Sequence, residues 1–174
     1  MNKFCKSYFE VFSAIELCLD QKLLMPSLSL IYAAIDSLAW VAYGDLAVGK
    51  RYQKWINNYM YRDNVLEANA IDLYAARCAI LHTLTPDSDL SEQKKARVVT
   101  YAWGDSDVEQ LKIAIDRFSD TEYVAIHVND LLDSLKQGVV LFMEELPSDL
   151  EALERSNKHF GSLSTNELNM AIGK

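Results

Sequence analysis

A chain of 174 residues, half of them hydrophobic and 24% charged, is long enough for one domain with a sizeable core and too apolar to be disordered. Its net charge of −8 at pH 7 argues mildly against nucleic acid as a partner, because that binding rests on neutralising phosphates. Cys5, Cys18 and Cys78 form neither a C-x-x-C pair nor an even framework, and the first residues lack an apolar signal region, so a reduced, cytoplasmic protein is expected.

In chain order, Phe4, Tyr8, Val11, Phe12, Ile15, Cys18 and Leu19 recur at helical spacing and predict an amphipathic helix over residues 3–24, ended by Met25-Pro26. Ser27 is the expected cap of a second helix, Leu28–Tyr43, closed by Gly44. This run is apolar nearly all round, is interrupted by Asp36 and falls short of the roughly 20 residues of a membrane span, so it reads as a central core helix. Its lone acid needs a partner, and Arg77 is the candidate; a wet helix end is the other reading. After a loop, residues 51–61 predict a short helix with Tyr52, Trp55 and Tyr59 on one face. Such aromatics stack on bases in some proteins and fill cores in more.

Asp63 or Asn64 is the expected cap of the next helix, which runs over residues 64–84 and is apolar for most of its length. Thr85-Pro86 ends it, and residues 86–93 read as a polar loop. Residues 97–103 (RVVTYAW) and 123–128 (YVAIHV) have strand character, with a helix opened by a capping box at Ser106–Glu109 and running to Phe118 between them. Strand, helix, strand predicts a small parallel, right-handed βαβ insert. Asn129 is the expected cap of a long helix, residues 130–146, and Ser148 opens a last one to about His159. Residues 161–174 read as a loose tail, leaving 1–160 as a single, mainly helical domain.

The chemistry concentrates in the helix over 64–84. Arg77 lies among Ala75, Ala76, Cys78 and Ala79, and Arg is almost never fully buried unless paired. His82 follows five residues later and is the side chain that titrates nearest neutral pH. Five residues turn a helix by about 500°, so the two side chains leave the axis roughly 140° apart. Arg is long enough to wrap, and a two-fold axis beside the helix would put two Arg and two His around one cleft. The small residues Ala75, Ala76 and Ala79 suggest the face by which two copies approach. Lys50, Arg51 and Lys54 before the helix, and Lys94, Lys95 and Arg97 after it, make residues 50–97 basic, with 8 Lys/Arg against 6 Asp/Glu. They read either as solvated charge or as a basic rim around a phosphate site.

Arg, four residues, His, near the end of an apolar helix of a small helical protein, resembles the signature of the HEPN superfamily. The resemblance covers roughly residues 1–85 and the last long helix. It implies a helical bundle working as a homodimer and, for many members, a metal-independent endoribonuclease of toxin–antitoxin or other defence systems. Arg77 and His82 would then be catalytic, with Asp36, Cys78 and Thr83 in support and the six basic residues holding RNA. Cys78 stands where the family often has a polar residue. The other readings are a non-catalytic dimeric module binding a nucleotide, RNA or a protein, and a structural partner of an antitoxin or other neighbour-encoded protein. No P-loop, G-x-G-x-x-G, H-E-x-x-H or G-x-S-x-G is present, and His82, His127 and His159 lack metal-ligand spacing, so no cofactor or metal is expected.

Overall fold

The structure is a computed structural model that describes residues 3–117, 121–158, 169, 170 and 172. It is mainly helical with a small two-stranded parallel sheet. In chain order the elements are α1 (Lys3–Asp20), α2 (Leu24–Tyr43), α3 (Val48–Trp55), a π-helical turn (Ile56–Met60), α4 (Ala70–His82), α5 (Asp89–Glu92), β1 (Val98–Ala102), α6 (Val108–Asp116), β2 (Tyr123–His127), α7 (Val128–Glu145), a 3₁₀ turn (Leu146–Ser148) and α8 (Leu150–Asn157).

α2 is the centre of the bundle. It buries Leu28, Ile31, Tyr32, Ile35, Leu38 and Val41 and packs against α1, α3, α4, α7 and α8. At 20 residues it is longer than the sequence suggested, and long and apolar enough to cross a membrane; here half of it lies inside the protein. It gained its extra turn because Pro26 does not end α1 but sits in the first turn of α2, where backbone N–H groups have no intrahelical acceptor. Ser27 is accordingly no cap: it is buried and donates back to the Leu23 carbonyl at 2.8 Å. α1 stops at Asp20, and the turn is closed by Lys22 in a left-handed conformation (φ 59°), with Leu23 N–H bonded to Cys18 O and Lys22 N–H to Leu19 O.

The short aromatic helix starts earlier than expected and ends in a π turn. Tyr52, Trp55 and Tyr59 all face inward, and the rings of Trp55, Tyr59 and Phe142 pack edge to face or tilted within 6.5 Å of one another. The base-stacking reading of these three is thereby overturned. α7 crosses the π turn closely. Ser134 donates to the Met60 carbonyl at 3.1 Å, and a Cβ on Gly138 would stand 3.1 Å from Met60 N and 3.2 Å from its Cα. Alanine at 138 would favour the helix by up to about 1 kcal/mol, but it would push against a pinned backbone. Gly138→Ala should therefore destabilise the protein by about 1–2 kcal/mol, read as a lower urea midpoint at unchanged slope.

β1 and β2 pair in parallel, Val98 opposite Tyr123 through Ala102 opposite His127, with α6 between them in sequence. The caps differ from the sequence reading. Asp107, not Ser106, caps α6, and Asp149, not Ser148, caps α8. α7 is capped by His127, whose Nδ1 accepts the Asn129 N–H at 3.2 Å while Nε2 lies 3.2 Å from the Gly104 carbonyl. A carbonyl only accepts, so Nε2 carries the proton, and His127 is a structural clip between the β1–α6 loop and the start of α7. The predicted ends of α6 at Phe118 and of α8 at His159 lie outside the described residues. So does most of the predicted tail, in which only Asn169, Met170 and Ile172 are described.

Candidate functional site

α4 is shorter than the sequence suggested. It begins at Ala70, capped by Asn69, whose side chain accepts from Ile71 and Asp72 N–H while the Asp72 carboxylate takes the Asn69 N–H. Asp63 and Asn64 cap nothing. The segment before the cap is held out of the helix by tertiary bonds: Tyr61 donates to the Ala68 carbonyl, and Arg97 to the Glu67 carbonyl at 2.9 Å. The helix ends at His82. Thr83 closes it, its hydroxyl bonded to the Ala79 carbonyl at 2.8 Å, so Thr83 acts as a helix end with its side chain already engaged.

Ala75, Ala76 and Ala79 are buried within the protomer. They let α4 lie close to its own neighbours and are not open to a second copy, contrary to the sequence expectation. The half-exposed stripe of α4 runs instead through Tyr74, Cys78 and His82 at four-residue spacing. It forms one wall of a cleft of ≈ 630 Å³, completed by Thr83, Thr85 and the start of α5.

Behind this stripe, α2 supplies the partner of Arg77. Arg77 Nη2 donates to Asp36 Oδ2 at 2.7 Å, and the two side chains are 13% and 23% exposed. Burial works against the Arg77 charge, but the Asp36 carboxylate outweighs it and holds the guanidinium further above its ordinary range. The second arm, Nη1, lies 3.0 Å from His82 Nε2. A guanidinium only donates, so Nε2 presents its lone pair to Arg77 and the ring proton sits on Nδ1. Asp36, Arg77 and His82 thus form one chain of hydrogen bonds from the core to an exposed imidazole at the cleft. The five-residue separation along α4 does not prevent this contact, because the Arg side chain wraps round the helix end.

The basic residues do not gather here. None of Lys50, Arg51, Lys54, Lys94, Lys95 and Arg97 lines the cleft, whose rim carries Asp87, Asp89 and Glu92. Lys54 lies 4.2 Å from the centroid of the Tyr43 ring. Lys94 closes α5 in a left-handed conformation (φ 55°), and Lys95 donates to Gln93 at 2.8 Å. Arg51 and Lys50 belong to α3. Arg97 is structural: it grips the Asp72 carboxylate, 1% exposed, at 2.6 and 3.1 Å, and its own N–H adds a third bond at 2.8 Å. Arg97→Ala should therefore lower stability by about 1–3 kcal/mol, since Asp72 keeps only its backbone donors, and should leave the affinity of the folded protein for an RNA oligonucleotide unchanged. Thermal melts beside a binding titration check both halves.

Among the described residues no three His, Cys, Asp or Glu side chains are grouped to hold a metal ion. Comparison with known proteins finds no matching family model and no similar curated protein or solved structure.

Proposed function

We propose that this chain is a HEPN-like endoribonuclease, of the toxin or defence kind, acting in the cytoplasm as a homodimer and needing no metal. The observation that carries the reading is the chain Asp36–Arg77–His82 ending at an open cleft. Asp36 fixes Arg77 through one arm, which leaves the other arm to bind a phosphate oxygen and offset the charge that develops on it. That arm now occupies the His82 lone pair. A phosphate oxygen is a stronger acceptor than a neutral imidazole, so an entering RNA phosphate takes the Nη1 donor and frees Nε2. His82 then removes the proton of the ribose 2′-OH, the 2′ oxygen attacks phosphorus, and the P–O5′ bond breaks. The 5′ oxygen takes a proton from water, and the hydroxide left behind takes the proton back from His82, so the products are a 2′,3′-cyclic phosphate and a 5′-hydroxyl with His82 neutral again. No metal is needed to supply the nucleophile, because the hydroxyl is already tethered beside the phosphorus.

A second copy would meet the stripe of Tyr74, Cys78 and His82 rather than the buried alanines, and would place two His82 side chains around one cleft. Cleavage should need the 2′-OH. A single 2′-deoxy substitution at the scissile nucleotide should abolish cutting there, and continued cutting at that position would overturn the proposed chemistry.

One observation favours a second reading. The rim acids Asp87, Asp89 and Glu92 repel a phosphate backbone, which suits a non-catalytic module binding a protein partner, such as a basic antitoxin segment. Under that reading the wild type binds no RNA at any salt concentration tested.

A further inference from the structure

Behind the Asp36–Arg77 pair lies a group of buried polar atoms that the proposed reaction does not use. Tyr52 is fully buried and its hydroxyl has no hydrogen-bond partner among the described residues; the same holds for Asp36 Oδ1, the carboxylate oxygen that Arg77 does not take. Both atoms sit where α2, α3 and α4 meet. The Tyr52 ring packs on Tyr74 of α4 at 5.5 Å, and the field at its hydroxyl comes from Tyr32, Asp36, Arg77 and Tyr61. Tyr32, one turn before Asp36 on α2, is bonded to the Tyr101 hydroxyl, and Tyr61 donates to the Ala68 carbonyl; neither is bonded to Tyr52. Burial holds the phenols of Tyr32, Tyr52 and Tyr101 above their ordinary range, so at neutral pH the Tyr52 hydroxyl keeps its proton and can donate, while Asp36 Oδ1 can only accept when ionised. Buried groups of this kind are rarely left unbonded; one water with two or three polar contacts is the usual solution.

We propose that one buried water joins the Tyr52 hydroxyl to Asp36 Oδ1, making Tyr52 a positioning residue that fixes the carboxylate and, through it, Arg77. The water accepts from Tyr52 and donates to Asp36. With Oδ1 held by the water and Oδ2 by Arg77, the carboxylate plane is set, and with it the direction in which Nη1 points. This inference concerns how Arg77 is aimed and does not require that the protein cleaves RNA.

The test is Tyr52→Phe, which keeps the ring and its packing and removes one hydroxyl. With a bridging water, the variant strands Oδ1. The melting temperature should fall by about 2–4 °C, the shift of about 1 kcal/mol in a chain of this size. The side-chain nitrogen resonances of Arg77 and the ring nitrogens of His82 should move with it, and the amides of α8 should not. Nuclear Overhauser transfer from water to the Tyr52 hydroxyl proton, measured on the wild type, reads the bridge without any substitution. Two results overturn the proposal. A melting temperature that stays or rises, with Arg77 and His82 unmoved, means that the hydroxyl was unbonded and is better removed. A fall in melting temperature with Arg77 and His82 unmoved means that Tyr52 supports the fold alone and aims nothing.

Discussion

Arg77→Ala should destabilise the protein by about 2–3 kcal/mol. Removing one partner of a fully sealed ion pair costs about 3–5 kcal/mol, because the other charge is left without compensation. Here Asp36 keeps some access to water, at 23% exposed, which lowers the figure. In a chain of 174 residues the loss corresponds to a melting temperature lower by about 5–10 °C. Asp36→Ala should be comparable or worse, because it leaves a guanidinium, 13% exposed, facing apolar neighbours. The double variant Asp36→Ala/Arg77→Ala should recover much of the loss, since it leaves no stranded charge. A double variant whose loss equals the sum of the two single losses would show that the pair contributes nothing as a pair. Arg77→Lys tests the geometry. Lys presents a point charge and cannot bond Asp36 and His82 with two arms of one plane, so it should retain part of the stability and lose the contact to His82.

His82→Ala should behave in the opposite way. The imidazole is exposed, and its bond to Arg77 lies at the open end of the chain, where water can replace it, so its loss should change stability by less than about 0.5 kcal/mol. RNA cleavage should fall by about 10²–10⁴-fold, the usual loss when a general base is removed. The contrast between the two positions is diagnostic: one residue holds the fold and the site, the other holds only the site. Cleavage rates have to be taken at a temperature where Arg77→Ala is still folded.

The α-helical class, the parallel strand pair and the intervening helix were legible in the sequence because they rest on periodicity. The strands at 98–102 and 123–127 alternate or run in β-branched residues, and α2 is apolar nearly all round. Helix starts were not legible where tertiary bonds decide them. Asn64 and Asn69 each carry an acid three residues on, and only the bonds from Tyr61 to the Ala68 carbonyl and from Arg97, just before β1, to the Glu67 carbonyl settle that the helix begins at the second. The signal Asn69-Ala-Ile-Asp72 was present; the choice between the two was not. The pairing of Asp36 with Arg77 followed from a different kind of argument, that a lone acid in an apolar helix and a lone base in another must meet. The basic rim failed because composition does not carry direction: Arg97 turns inward to a buried carboxylate, and Lys54 lies over a tyrosine ring. Tyr52 was missed as a polar residue because helical spacing marks a tyrosine as core and says nothing of where its hydroxyl ends.

The most direct measurement is incubation of the purified wild type and the His82→Ala variant with a structured RNA in excess EDTA, followed by analysis of the new 3′ ends. The account predicts wild-type cleavage that is unaffected by the chelator, fragments ending in 2′,3′-cyclic phosphate, and a folded His82→Ala with at most about a hundredth of the activity. A wild type that leaves every RNA intact, or a His82→Ala variant that cuts as fast as the wild type, would contradict it.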